Sequence, residues 1–148
     1  MEKTEKRLRS MRLHALVSII ALTAEFVIGT YAALFAKIPD NLPGGNAWAW
    51  SMSKSFVIAG HAVLGTLLAL VSLETLVQGI IAKTARAFLP SAAGFVMVCL
   101  AWLSGAAFLS NVANDAYSFL MAIGFIGALI SYGFAYHLAR PSGGTVSA

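Results

Sequence analysis

SFVIAGHAVLGTLLALVSLETLVQGII, residues 55–81, is the run that decides the fold. Its 27 residues contain one carboxylate, Glu74, one histidine, His61, and no lysine or arginine. At a rise of about 1.5 Å per residue such a helix crosses a hydrocarbon layer of about 30 Å. The apolar side chains run on without the apolar/polar alternation of a lipid-facing β-strand, so a transmembrane barrel is set aside. Three further stretches have the same character: Leu13 to Ala36, Phe88 to Ser110 and Ala116 to Leu138. The expectation is an all-α bundle of four transmembrane helices, about 13–36, 55–81, 88–110 and 116–138, forming one integral membrane domain over residues 1–148.

Composition points the same way. Hydrophobic residues make up 59% of the 148-residue chain and charged residues 11%, against roughly 45–50% and about 25% in soluble domains. A soluble globular protein and a disordered chain are both excluded, and the single cysteine, Cys99, excludes a disulfide scaffold. The basic N-terminal region resembles a signal peptide, but the apolar run after it exceeds the roughly 7–15 residues of a signal h-region. It reads as a retained first helix.

Lysine and arginine set the expected orientation. With the N-terminus cytoplasmic, Lys3, Lys6, Arg7, Arg9, Arg12, Lys83, Arg86 and Arg140 lie inside and Lys37 and Lys54 outside, an eight to two split that follows the positive-inside rule. Both termini are then cytoplasmic, in a bacterial or archaeal plasma membrane. The basic groups can meet anionic lipid headgroups, so the high pI implies the bilayer as partner and no nucleic acid. Short connections, Ala82 to Ala87 inside and Asn111 to Asp115 outside, make neighbouring helices antiparallel, an up-down-up-down order. The longer outer connection, Lys37 to Lys54, has turn chemistry around Pro39, Pro43, Gly44 and Gly45. Trp48 and Trp50 then suit the headgroup level. The tail 141–148 reads as flexible.

Polar groups inside a bilayer are costly, and so are functional candidates. His61 lies about 9 Å below the outer end of its helix by the helical rise. Tyr31, Ser104, Gly105 and Met121 fall at the same level. Spacing puts His61, Gly65, Leu68 and Ser72 on one face, expected to turn inward. With the second and fourth spans diagonal, His61 and Met121 could meet a haem b from opposite sides, with Tyr31 and Ser104 beside them. The structural alternative is a buried histidine bonded to Tyr31 or Ser104, with Met121 as packing. Glu25, about 16 Å deep, should be protonated, paired or wet, with Thr66, Cys99 and Gly127 at its level; it could tune a cofactor, handle a proton, or share a hydrogen bond with Thr66. Glu74 is expected to snorkel toward Lys83 or Arg86. His14 and His137, at the inner boundary, invite a bis-histidine site but read better as interface residues. The polar set Asp40, Asn41, Asn46, Asn111, Asn114 and Asp115 could take a cation, but is also what external turns contain.

Several segments resemble a group of small, uncharacterised four-span bacterial membrane proteins: residues 38–44, His61 to Gly65, Gly105 to Leu109 and Asp115 to Ala122. That resemblance implies the four-span fold and no activity. The His-x-x-Leu-Gly segment at His61 also looks like the haem-ligating helices of some membrane b-type cytochromes. The second histidine that bis-histidine cytochromes place at this depth is absent, which leaves Met121 or nothing as the second ligand. The leading functional expectation is a haem-binding electron-transfer protein or subunit. The alternative is a non-catalytic accessory subunit, packing against other membrane subunits or itself through glycine-rich helix faces. A third class, a channel or transporter along Glu25 and Thr66, would usually show broken helices or repeats, and neither is evident.

Overall fold

The computed structural model describes residues 2–39, 41–42, 47–111 and 114–139, with side chains from residue 5 onward. Asp40, Asn46, Arg140 and the tail 141–148 lie outside the described residues, as does the Lys3 side chain. Among the described residues five helices follow in order: α1 (Glu2–Phe35), α2 (Trp48–Lys54), α3 (Phe56–Ile81), α4 (Ala85–Ser110) and α5 (Asp115–Leu138). Four of them, all but α2, are long and apolar enough to cross a membrane.

The boundaries differ from the sequence expectation where hydropathy is silent. The first helix begins well before Leu13, because the basic segment is made of good helix formers and continues the same helix. The fourth begins at Ala85 rather than Phe88, leaving Ala82–Thr84 as the turn; Lys83 takes a left-handed φ of 55° there, and its N–H meets Ile80 O at 3.1 Å. In the longer connection α2 forms and packs on α3. Ala47 N bonds Leu109 O at 2.8 Å and Trp48 Nε1 donates to Ser110 Oγ at 2.9 Å, which ties this connection to the end of α4. Helix starts are capped by Ser55, accepting from Ile58 N, and by Asn114, accepting from Ala116 N.

Around the bundle, α1 packs on α3, α3 on α4, α4 on α5, and α5 back on α1, while α3 and α5 stand diagonally. An inward stripe at helical spacing runs down α1 through Met11, Ala15, Ser18 and Leu22, all buried. Facing it are Leu68, Ser72 and Thr75 of α3, Val98 of α4, and Ala128 and Tyr132 of α5. The α4/α5 pair is the closest, because Gly124 lets the backbones meet: a Cβ there would stand 2.7 Å from Met97 O and 2.8 Å from Ala101 N. Small side chains bring the helices together, and large apolar ones such as Leu13, Ile20, Leu70 and Ile126 point outward, the pattern lipid requires.

Candidate functional site: a carboxylate and an imidazole between α1 and α3

The inward stripe of α1 continues from Leu22 to Glu25 and then Gly29; that of α3 runs outward from Leu68 to Gly65 and His61. Antiparallel packing therefore sets each polar residue opposite a glycine. A Cβ on Gly29 would stand 2.7 Å from His61 Cε1, and one on Gly65 would stand 3.0 Å from Glu25 Oε1. The two absent side chains create the room in which the two polar ones meet.

They meet closely. His61 Nδ1 lies 2.8 Å from Glu25 Oε1. The distance is that of an ion pair, although the ring N–H is not aligned with the carboxylate oxygen, and Glu25 Oε2 is buried with no hydrogen-bond partner among the described residues. Glu25 is only 12% exposed and His61 32%, so Nδ1 is sealed against the carboxylate while part of the ring reaches the flank of the bundle. No hydrogen bond occupies Nε2 among the described residues. Of the three outcomes open to a carboxylate at this depth, pairing is the one found.

The other expected neighbours are distributed differently. Thr66 is exposed and does not meet Glu25: its hydroxyl donates to Ala62 O at 2.8 Å and accepts from Trp102 Nε1 at 3.1 Å. Helical back-bonding and a nearby indole satisfy it more cheaply than a reach to α1. Tyr31 is exposed, with its ring tilted against Phe35 at 4.7 Å, and Ser104 is buried on α4; neither hydrogen-bonds His61. Met121 rests its sulfur over Gly105, 3.2 Å from where a Cβ would be. Since Trp102 lies beside Gly65, the helical rise puts Gly105 and Met121 within about 2 Å of the depth of His61.

Glu74 pairs with neither Lys83 nor Arg86. Its Oε1 is 3.0 Å from His14 Nε2, and His14 Nδ1 bonds Ser10 O at 2.8 Å. Both nitrogens of His14 are thus engaged, while His137 is exposed on α5. Among the described residues no three His, Cys, Asp or Glu side chains gather as a metal site. Sequence reasoning placed Glu25 and His61 on separate levels; the paired Gly29 and Gly65, each four residues from a polar group on an inward face, were the signal that joined them.

Compared with protein-family models, with curated proteins and with solved structures, the chain matches none.

Proposed function

We propose that this small integral membrane protein holds a haem b through His61 and serves as an electron-transfer protein or subunit. The observation that carries the reading is the 2.8 Å contact between His61 Nδ1 and Glu25 Oε1. Metal-ligating histidines almost always give their other ring N–H to a carboxylate, carbonyl or water, which fixes the tautomer and raises ligand basicity. Glu25 stands where it can do this, leaving Nε2 as the donor atom. The donor set fits a haem iron: an imidazole backed by a carboxylate, and the thioether of Met121 at nearly the same depth. The cavity beside Glu25 is about 130 Å³, below the roughly 300–1,000 Å³ of common ligand pockets. The residues that would hold the group are His61, through Nε2 on the flank where its ring is exposed, and Met121 of the diagonal helix α5. When bound, the haem would supply one-electron chemistry; the chain contributes the ligand, its orientation and the buried carboxyl group of Glu25 beside it.

The test is a titration of haem-free protein with hemin, followed by absorbance. Saturable one-to-one binding with a shifted Soret band, abolished by His61→Ala, is expected; binding unchanged by that substitution would remove the assignment.

A second reading, a subunit that docks against another membrane chain, is favoured by Gly60 and Gly133. Unlike the other glycines in the spans, both face open space in the single chain, so close helix approach is possible from outside. A colourless protein that is purified with a partner chain would support it.

A further inference from the structure

At the end of the bundle away from His61, α1 and α3 leave a cavity of about 270 Å³ that opens to the surface, lined by Lys6, Arg7 and Ser10 of α1 and Gln78 of α3. It lies at the headgroup level: Lys6 to Ser10 precede the apolar run that begins at Leu13, and Gln78 stands in the last turn of α3. Arg7 Nη1 donates to Ile81 O at 3.3 Å, which anchors the guanidinium on a terminal carbonyl of α3 and leaves its other N–H groups to a ligand. The Lys6 ammonium, the Ser10 hydroxyl and the Gln78 side-chain amide make no hydrogen bond or ion pair among the described residues, and no carboxylate among them lines the cavity. Arg12, by contrast, is already committed to α5: Nη2 donates to Tyr136 Oη at 2.8 Å, and the guanidinium lies 4.4 Å above that ring.

The same flank continues as apolar surface. Spacings of three and four lead along one face of α1 from Ser10 through His14 and Val17 to Ala21, and along one face of α3 from Gln78 through Glu74 to Val71. Beyond the basic cavity these faces enclose a groove of about 130 Å³, between Ala21 and Ala24 of α1 and Leu64, Leu67 and Val71 of α3. The two carboxylates on this flank are each set against a histidine, Glu74 against His14 at 3.0 Å and Glu25 against His61 at 2.8 Å. By the helical rise Ser10 and Ala21 are about 16 Å apart, close to half of a hydrocarbon layer of about 30 Å. A headgroup held in the cavity therefore brings an acyl chain of its own leaflet to the groove.

We infer that this flank is a binding site for one anionic phospholipid of the leaflet at the basic end, its phosphodiester among Lys6, Arg7, Ser10 and Gln78 and an acyl chain along the groove beyond. Charge and donor type select the headgroup. All four side chains can donate to phosphate oxygens, the arginine through a planar fork and the lysine as a point charge. A zwitterionic lipid carries its own ammonium, which the two cations repel. Basic pockets between membrane helices are known seats of anionic headgroups. At about 30 Å³ per water the cavity holds the volume of about nine waters, enough for a phosphodiester and less than the pockets that enclose a whole organic ligand. The apolar groove farther along the same seam favours a lipid over a free anion. The inference does not rest on haem binding, because its donors lie at the far end of the bundle from His61.

The test is native mass spectrometry of the delipidated protein in a neutral detergent. Dioleoyl phosphatidylglycerol and dioleoyl phosphatidylcholine, which share their acyl chains, are titrated separately, with glycerol 3-phosphate as the headgroup alone. The expected result is a single phosphatidylglycerol adduct at concentrations where the other two give none. At about fivefold per cation near a membrane surface, the double variant Lys6→Gln/Arg7→Gln should weaken it more than about tenfold. Ala24→Leu, which fills the groove from an exposed position, should weaken it as well. Arg9→Gln/Arg86→Gln removes the same charge outside the cavity and should leave the affinity nearly unchanged, and circular dichroism checks that each variant is folded. Equal binding of the two lipids, or equal losses in the two double variants, would overturn the inference by reducing it to general attraction. Glycerol 3-phosphate bound as tightly as the lipid, or an adduct indifferent to Ala24→Leu, would also overturn it, by making the cavity a site for an anion without its chain.

Discussion

Glu25 Oε1 and His61 Nδ1 are 2.8 Å apart across the α1/α3 seam, and each side chain lies over a glycine of the opposite helix. The arrangement is reciprocal, so the pair depends on both helices at once. Removing one partner leaves the other uncompensated in a poorly solvating place, which costs more than removing both.

Stability should therefore be non-additive. Glu25→Leu and His61→Leu are each expected to lower unfolding free energy by about 1–3 kcal/mol, with a coupling of comparable size between them. The double variant should recover most of the loss. Reversible denaturation in mixed micelles measures the cycle, and purely additive losses would show that the two groups do not interact.

Glycines should divide by what surrounds them. Gly124→Ala pushes a Cβ into the backbone of Met97 and Ala101, neither of which can step aside, and is expected to cost about 1–3 kcal/mol. Gly133→Ala meets nothing within 4 Å, and should be neutral or stabilising by up to about 1 kcal/mol through helix propensity. Thermal unfolding of the two variants side by side checks the contrast.

Tyr132 is fully buried, its ring against Gly94 and its hydroxyl beside Ser72 of α3, though without a hydrogen bond of good geometry among the described residues. Tyr132→Phe should cost about 1 kcal/mol or less, since the hydroxyl removed makes at most a poorly aligned contact with Ser72. Tyr132→Ala opens a cavity between α4 and α5, and should cost about 3–5 kcal/mol. A large loss in the phenylalanine variant would reveal a partner for the hydroxyl.

Much of the fold can be read from the sequence, because the bilayer imposes one simple condition, a long apolar run, and four such runs are plain. The segments that the condition does not cover are the ones that came out differently. The basic extension of α1 and the seven-residue α2 are held by propensity and by contacts to the end of α4, neither of which hydropathy reports. At the site, the inward turn of His61, Gly65, Leu68 and Ser72 follows from spacing alone. The choice of partners does not: depth arithmetic grouped residues by level, whereas two long side chains reach along the seam to each other across a turn of helix. Thr66 satisfied itself on its own helix, and Glu74 took His14 because that histidine faces it directly while Lys83 lies beyond the end of α3.

His14 should be irrelevant to any cofactor. With Nδ1 on Ser10 O and Nε2 on Glu74, it has no free donor atom, and its partner is exposed. His14→Ala is expected to change stability by less than about 1 kcal/mol. It should also leave hemin affinity at the wild-type value, whereas His61→Ala abolishes it. Loss of hemin binding in His14→Ala would move the site to the basic end.

The most direct measurement is the absorption spectrum of protein purified in detergent from haem-supplied cells, recorded oxidised and then reduced with dithionite. The expected result is a Soret band with α and β bands that sharpen on reduction, lost in His61→Ala, altered in Met121→Ala, and intact in His14→Ala and His137→Ala. A protein that shows only its own ultraviolet band would contradict the haem assignment and leave the subunit reading to be pursued through co-purifying chains.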